Sequence, residues 1–254
     1  CLSPTVALDA SGTVMVAATD LAVPGSFDNC SLDTVFANGS DSVSFTCADL
    51  GPNLVTVFMQ DPSSNTATCF STVTVVDGVD PVANCVTTPV QLFLDVNGIV
   101  LLDTADVNNG STDNCSIASA GLSQDTFWCI DIATNPNNVT LLVTDISGNT
   151  NSCVAQVVVN DTVNPVIACH PVTVNIHLSS GGLATITADS FDNGTTDACG
   201  LASLVFTGAP NPVSCANIGI IPITLIATDV NGNVDSCNTT LTVLDTVAPA
   251  LTCN

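Results

Sequence analysis

The sequence predicts an all-β chain: a tandem array of three β-sandwich repeats, each about 84 residues long and stapled by disulfides. Three observations predict it: the register of the cysteines, the return of whole phrases in that register, and a period-two alternation of β-branched residues between turn residues.

The cysteines stand at 1, 30, 47 and 69, at 85, 115, 129 and 153, at 169, 199, 215 and 237, and at 253. The first of each set recurs at one fixed interval, from 1 to 85 to 169 to 253. The fourth keeps the same interval, while the middle two drift by a residue or two as loop positions do. Thirteen cysteines are therefore three sets of four and the first of a fourth. The same register carries "VDGVDPVANC", "NDTVNPVIAC" and "LDTVAPALTC", which read as the seams between domains: an Asp closes one domain, a Pro stops the ladder, and a Cys opens the next first strand. The domains so drawn are 1–78, 79–162 and 163–246, with 247–254 as the start of a fourth, and the chain reads as a window on a longer array of further copies of the same repeat.

The elements of a repeat follow in order. "LDASGTVMVAATD", "LDVNGIVLLDTAD" and "LSSGGLATITAD" place a Gly-containing turn before a Val- or Ile-bearing segment. Then come the loops "SFDNCS", "STDNCS" and "TTDACG", and a short segment ending in the third Cys, where Phe45 and Phe127 are expected in the core. A hairpin closes each repeat: "QDPSSNTATC", "TDISGNTNSC" and "TDVNGNVDSC" are its turns, and "STVTVVD", "AQVVVND" and "TTLTVLD" its last strands, with β-branched residues at every second place. About seven short strands in a repeat of this size suit an immunoglobulin-like sandwich. With no Gly/Ser-rich spacer between repeats, the array is expected to be stiff.

Composition narrows the function. There is no Lys, no Arg, no Glu and no Tyr, and the 23 Asp give a net charge of -23. Such a surface repels nucleic acid and anionic headgroups, so neither is expected as a partner. Without a cationic side chain the carboxylates are relieved by water, hydrogen bonds or external cations, with calcium as the candidate cofactor. No apolar run is long enough to span a membrane. His170 and His177 each occur in one repeat only and have no nucleophile elbow beside them, so no enzyme is expected.

The pattern P-x-x-x-C, D-N-C, T-D-x-x-G-N-x-x-x-C, V-x-V-x-D resembles the hyalin-repeat family of immunoglobulin-like modules. With an added Cys in phrases such as "FTCADLG", it is most similar to repeats of giant surface adhesins of gliding Bacteroidetes, the SprB type. "DPSSN" in the first repeat lacks the Gly, and "TDACG" in the third replaces D-N-C. The resemblance implies an exported, surface-displayed stalk used in adhesion and gliding motility, meeting surface polymers or glycans through other parts of the protein. Two other readings stand beside it: a structural subunit of an extracellular filament in another organism, and a ligand- or glycan-binding ectodomain.

Four cysteines per repeat without a close C-x-x-C pair argue for disulfides and an oxidising compartment rather than zinc. First is expected to pair with fourth, across the adjacent first and last strands: Cys1–Cys69, Cys85–Cys153, Cys169–Cys237. Second is expected to pair with third: Cys30–Cys47, Cys115–Cys129, Cys199–Cys215. The rival scheme joins fourth to the next first, as Cys153–Cys169. Two Asp clusters recur. Asp20 and Asp28, Asp106 and Asp113, and Asp189, Asp192 and Asp197 form a loop set that is the candidate calcium site. Asp61, Asp145 and Asp229 head the closing hairpins, where an Asp bonds its own turn. If the bacterial resemblance holds, Asp-Ser/Thr-apolar marks O-glycosylation at Thr34, Ser42, Thr104, Thr162 and Thr246.

Overall fold

The computed structural model describes residues 1–26, 28 and 33–252. Among the described residues each repeat is a two-sheet, six-stranded sandwich, one strand fewer than the seven expected. The first repeat contains β1 (Thr5–Ala7), β2 (Thr13–Ala17), β3 (Thr34–Ala37), β4 (Ser42–Thr46), β5 (Gly51–Gln60) and β6 (Thr66–Val76). The second contains β7 (Val90–Phe93), β8 (Ile99–Leu101), β9 (Ile117–Leu122), β10 (Thr126–Trp128), β11 (Asn137–Asp145) and β12 (Thr150–Asn160). The third contains β13 (Val174–His177), β14 (Leu183–Ala184), β15 (Leu201–Thr207), β16 (Val213–Ser214), β17 (Gly219–Asp229) and β18 (Val234–Leu244). One sheet of each repeat holds four strands, in the order β1-β6-β5-β3 and its equivalents, and the other is a pair, β2-β4, β10-β8 and β14-β16. A single helical turn follows the second strand in the first two repeats, α1 (Ala18–Leu21) and α2 (Thr104–Val107).

The topology explains the spacing of the first and fourth cysteines. β1 runs parallel to β6 with Thr5 opposite Thr74, and β13 runs parallel to β18 with Val174 opposite Leu241. The Cys before the first strand therefore lies beside the Cys early in the last, and Cys1–Cys69, Cys85–Cys153 and Cys169–Cys237 are bonded. Each closes a ring spanning 68 residues of sequence separation. The chain-entropy model gives such a ring about 4 kcal/mol.

Alternation decides which faces are buried. Along β6, Ser71, Val73 and Val75 are buried, and on the neighbouring β5 so are Val55 and Val57. In the third repeat Ile223, Leu225 and Leu241 do the same. Each fully buried Val or Leu stabilises by about 1.5–3 kcal/mol. Two residues before each third Cys stands a buried side chain: Phe45, Phe127 and Val213. Trp128, one residue on, is exposed on the opposite side of its strand.

By compactness the chain divides into two units. One comprises Cys1–Val90, Asp103–Gln124 and Asn138–Gln156; the other comprises Gln91–Leu102, Asp125–Asn137 and Val157 onward. Each unit thus holds one whole repeat and part of the second, so neither ends at the repeat boundary. Among the described residues no helix is long and apolar enough to cross a membrane.

Candidate functional site at the repeat seams

The middle cysteines do not pair inside their repeats. Cys47 is bonded to Cys115, and Cys129 to Cys199, with Cα atoms 5.3 and 5.2 Å apart. Cys115–Cys129 and Cys199–Cys215 are therefore not formed, and neither is Cys153–Cys169; Cys30 lies outside the described residues. The physical reason is where the third Cys sits. It opens a 3-10 turn after the fourth strand, as at Cys47–Asp49, which packs on the glycine of the first hairpin. Gly12, Gly98 and Gly182 have φ of +73, +73 and +71, and a Cβ on any of them would come within 2.9, 2.7 and 2.8 Å of the sulfur of Cys47, Cys129 and Cys215. Glycine is needed there twice over, for its left-handed backbone and for the space the sulfur takes. From that position Cys47 reaches the turn Asp113–Ser116 of the following repeat, its Sγ lying 3.5 Å from the Asn114 carbonyl oxygen. Cys215 keeps the same setting, 3.7 Å from the Gly182 carbonyl oxygen, and is a free, exposed thiol.

Around the Cys47–Cys115 bridge, three phrases meet. Asp77 comes from the end of the first repeat, Asp113 from the loop before β9, and Asp145 from the closing hairpin of the second repeat. One carboxylate oxygen from each lies within 4.8 Å of the other two. Asp77 is 8% exposed and Asp145 2%. The Asp113 carboxylate accepts from the backbone N–H of Cys115 and Ser116 at 2.9 and 3.1 Å. Asp145 Oδ1 accepts from Ser147 and Asn149 N–H, both at 2.8 Å, and Oδ2 from Asn149 Nδ2. Burial works against its charge, but these donors prevail and hold the carboxyl below its usual range. Asp77 Oδ1 accepts from Val79 N–H and from Asn114 Nδ2. Its Oδ2, Asp113 Oδ1 and Asn114 Oδ1 are buried and have no partner. Carboxylates about 4.8 Å apart repel by roughly 3 kcal/mol per pair at an effective dielectric of about 20. The sequence supplies no Lys or Arg to offset this.

The second unit repeats two of the three carboxylates at the next seam. Asp161 and Asp197 oxygens lie within 4.8 Å of each other and of Cys199 Sγ, which is held in its disulfide. Asp161 Oδ2 is buried without a partner, and Asn233 Nδ2 donates to the Asp161 carbonyl. Burial, then the nearby charges of Asp197 and Asp229, push the Asp161 carboxyl up.

Of the loop set read from the sequence, only Asp113 and Asp197 come to these seams. Asp106 caps α2, its Oδ2 accepting from Asp103 N–H at 3.0 Å. Asp192 accepts from both the N–H and the hydroxyl of Thr195. Asp20 lies exposed in α1, Asp189 lies exposed in a 3-10 turn, and Asp28 is half-buried. Asp77 and Asp161 were not singled out as ligands from the sequence, although they stand in the seam phrase itself. Of the hydroxyls read as glycan acceptors, Thr162 and Thr246 are exposed and Ser42 is half-buried; Thr104 donates to Asp103, and Thr34 Oγ1 is buried. His177 is exposed and His170 half-buried.

No protein-family model and no curated protein matches the chain. Solved structures similar to it include a three-immunoglobulin-domain segment of titin, at 11% identity over 96% of each chain with a TM-score of 0.39. Extracellular domains 3–5 of Drosophila OTK match at 11% over 94% of each, with a TM-score of 0.32. Immunoglobulin domains 1–5 of Sidekick-1 match at 10%, with a TM-score of 0.36, where the chain spans 57% of that structure. Likenesses this distant say nothing of function; the sandwich architecture rests on the strand order and register described above.

Proposed function

We propose that the chain is a structural stalk segment of a large, repetitive cell-surface adhesin that serves adhesion and gliding motility. One observation carries the mechanical part: Cys47–Cys115 and Cys129–Cys199 join consecutive repeats covalently, beside bridges that close each repeat on itself. Five disulfides among the described residues support an oxidising, extracellular setting. The adhesion and gliding part rests on the sequence resemblance.

One repeat drawn out fully would extend to about 280 Å. With its bridge closed, the segment free to extend is the short stretch between one repeat's fourth Cys and the next repeat's first, and the seam bridge encloses that stretch too. Single-molecule pulling tests this. Reduced chains are expected to lengthen in steps of about 250 Å per repeat, oxidised chains by less than a quarter of that; equal steps in both states would sink the mechanical reading. The cellular part is tested by antibody labelling of intact cells and by deleting the gene. Surface labelling and lost spreading on agar are expected, and labelling that appears only in opened cells would count against it.

A second reading, a subunit of an extracellular filament, is favoured by Cys215 alone. Its free thiol occupies the setting in which Cys47 and Cys129 are bonded. Oxidation of purified chains should then give a ladder on non-reducing gels, and strictly monomeric chains would dismiss it.

A further inference from the structure

We propose that each seam is a calcium joint, one ion held by Asp77, Asp113 and Asp145 and a second by Asp161 and Asp197. The inference goes beyond the stalk reading and does not depend on adhesion or gliding.

Distance is the first ground. Calcium binds oxygens at about 2.4 Å, so one ion bridges oxygens up to about 4.8 Å apart. The oxygens of Asp77, Asp113 and Asp145 meet that limit. The second ground is independent of the clustering. Asp77 is 8% exposed, it points a carboxylate oxygen into the cluster, and its Oδ2 has no donor. Asp113 Oδ1 and, in the adjoining residue, Asn114 Oδ1 are buried and equally unpartnered. Buried polar atoms in a native protein have partners with few exceptions, so three orphan acceptors on two adjoining turns call for something that accepts electron pairs. Asp145 completes the set: its oxygens already accept hairpin hydrogen bonds, but a carboxylate has about four lone-pair sites, which leaves it one to offer.

The third ground is the composition. A chain without Lys or Arg has no internal side chain to place against three carboxylates. The fourth is recurrence. Two of the same positions of the next repeat, Asp161 and Asp197, meet again in the second unit, where Asp161 Oδ2 is likewise an orphan.

The donor chemistry selects the ion. Cys199 is in a disulfide and offers no thiolate, so both sets are oxygen-only, which disfavours zinc and copper. Magnesium demands near-octahedral ligands at about 2.0–2.1 Å, tighter than this spread, whereas calcium accepts six to eight oxygens in flexible geometry, with water filling the rest.

The test is calcium titration of the full chain by calorimetry in 150 mM NaCl, with disulfides intact. Two equivalents are expected, with a dissociation constant of about 10⁻⁴ M as in extracellular modules. At 10 mM calcium the melting temperature should rise by about 10 °C. Asp77→Asn should leave one equivalent, and Asp77→Asn with Asp161→Asn none, weakening each site by at least about 100-fold. Circular dichroism checks that the variants fold. Should the double variant not fold, the wild-type chain still decides by NMR: calcium should move the side-chain amides of Asn114 and Asn149 and leave the backbone of Asp20, Asp106 and Asp189 in place. No saturable binding by the wild type, a folded double variant that keeps either equivalent, or shifts centred on Asp20, Asp106 and Asp189 would overturn the proposal.

Discussion

The closing hairpins of the first and second repeats are the same turn in two settings. In both, an Asp accepts two backbone N–H groups through one oxygen and an Asn side chain through the other: Asp61 from Ser63, Asn65 and Asn65 Nδ2, and Asp145 from Ser147, Asn149 and Asn149 Nδ2. Asp61 is partly exposed, whereas Asp145 is buried. What differs is the cover. Asn149 Nδ2 also donates to the carbonyls of Asp77 and Val79, at 3.2 and 3.3 Å, and Asn151 Nδ2 donates to Pro81 at 2.9 Å, so the seam segment 77–81 lies over the finished turn. The hairpin is self-sufficient, and the joint is added by covering it. Ser64 at φ 68 stands where the covered hairpins have Gly148 and Gly232, at φ 93 and 96.

The comparison can be broken most sharply at the cysteines, where the expected effect is all or none. Iodoacetamide should alkylate Cys215 in the folded, oxidised chain and leave Cys47, Cys115, Cys129 and Cys199 untouched. Peptide mapping with an Asp-directed protease reads this, and a Cys199–Cys215 peptide would refute the seam pairing. Next in size is the hairpin Asp itself. With EDTA present, Asp145→Ala should cost about 3 kcal/mol in chemical unfolding and Asp61→Ala clearly less, because only the first strands its donors beneath the seam segment. Equal costs would mean that the cover contributes nothing.

Ser64→Gly should stabilise the first repeat by about 1 kcal/mol, since it removes a left-handed non-glycine residue. A change of the opposite sign would show that Ser64 is held by something other than its turn. The smallest effect is in acid. Asp61, Asp9 and Asp95 are held below their ordinary 3.8, first by the Asn65 amide, the Ser11 hydroxyl and the Ile99 N–H respectively. Groups depressed in the folded state stabilise it above about 3.8, and that stability is lost as pH falls through the lowered values. Carboxyl-carbon NMR should find all three titrating below 3.8. The first hairpin of the third repeat has Ser179 in place of that Asp and should show no such loss.

Much of this was legible. The repeat, the sandwich and the hairpins are local or periodic, and alternation along "STVTVVD" already states which residues face inward. The within-repeat bridges follow from the adjacency of first and last strands, which a sandwich imposes. The seam is different in kind. Asp77, Asp113 and Asp145 belong to three separate phrases, and their meeting depends on how one repeat docks on the next, which no period in a single strand encodes. One signal was available: Cys47 and Cys115 are separated by 68 residues, the same interval as Cys1 and Cys69. Gly12, Gly98 and Gly182 were legible as turn glycines; that each also makes room for a sulfur emerges only from the packing.

The bridges have one more consequence, and it concerns damage. The rings 1–69, 47–115, 85–153, 129–199 and 169–237 overlap, each beginning before the last has closed. Every peptide bond from residue 1 to residue 237 therefore lies inside at least one ring. A single cut by a protease anywhere in that span opens a loop but releases no fragment; the molecule stays one covalent piece, much as a mail shirt survives a broken link.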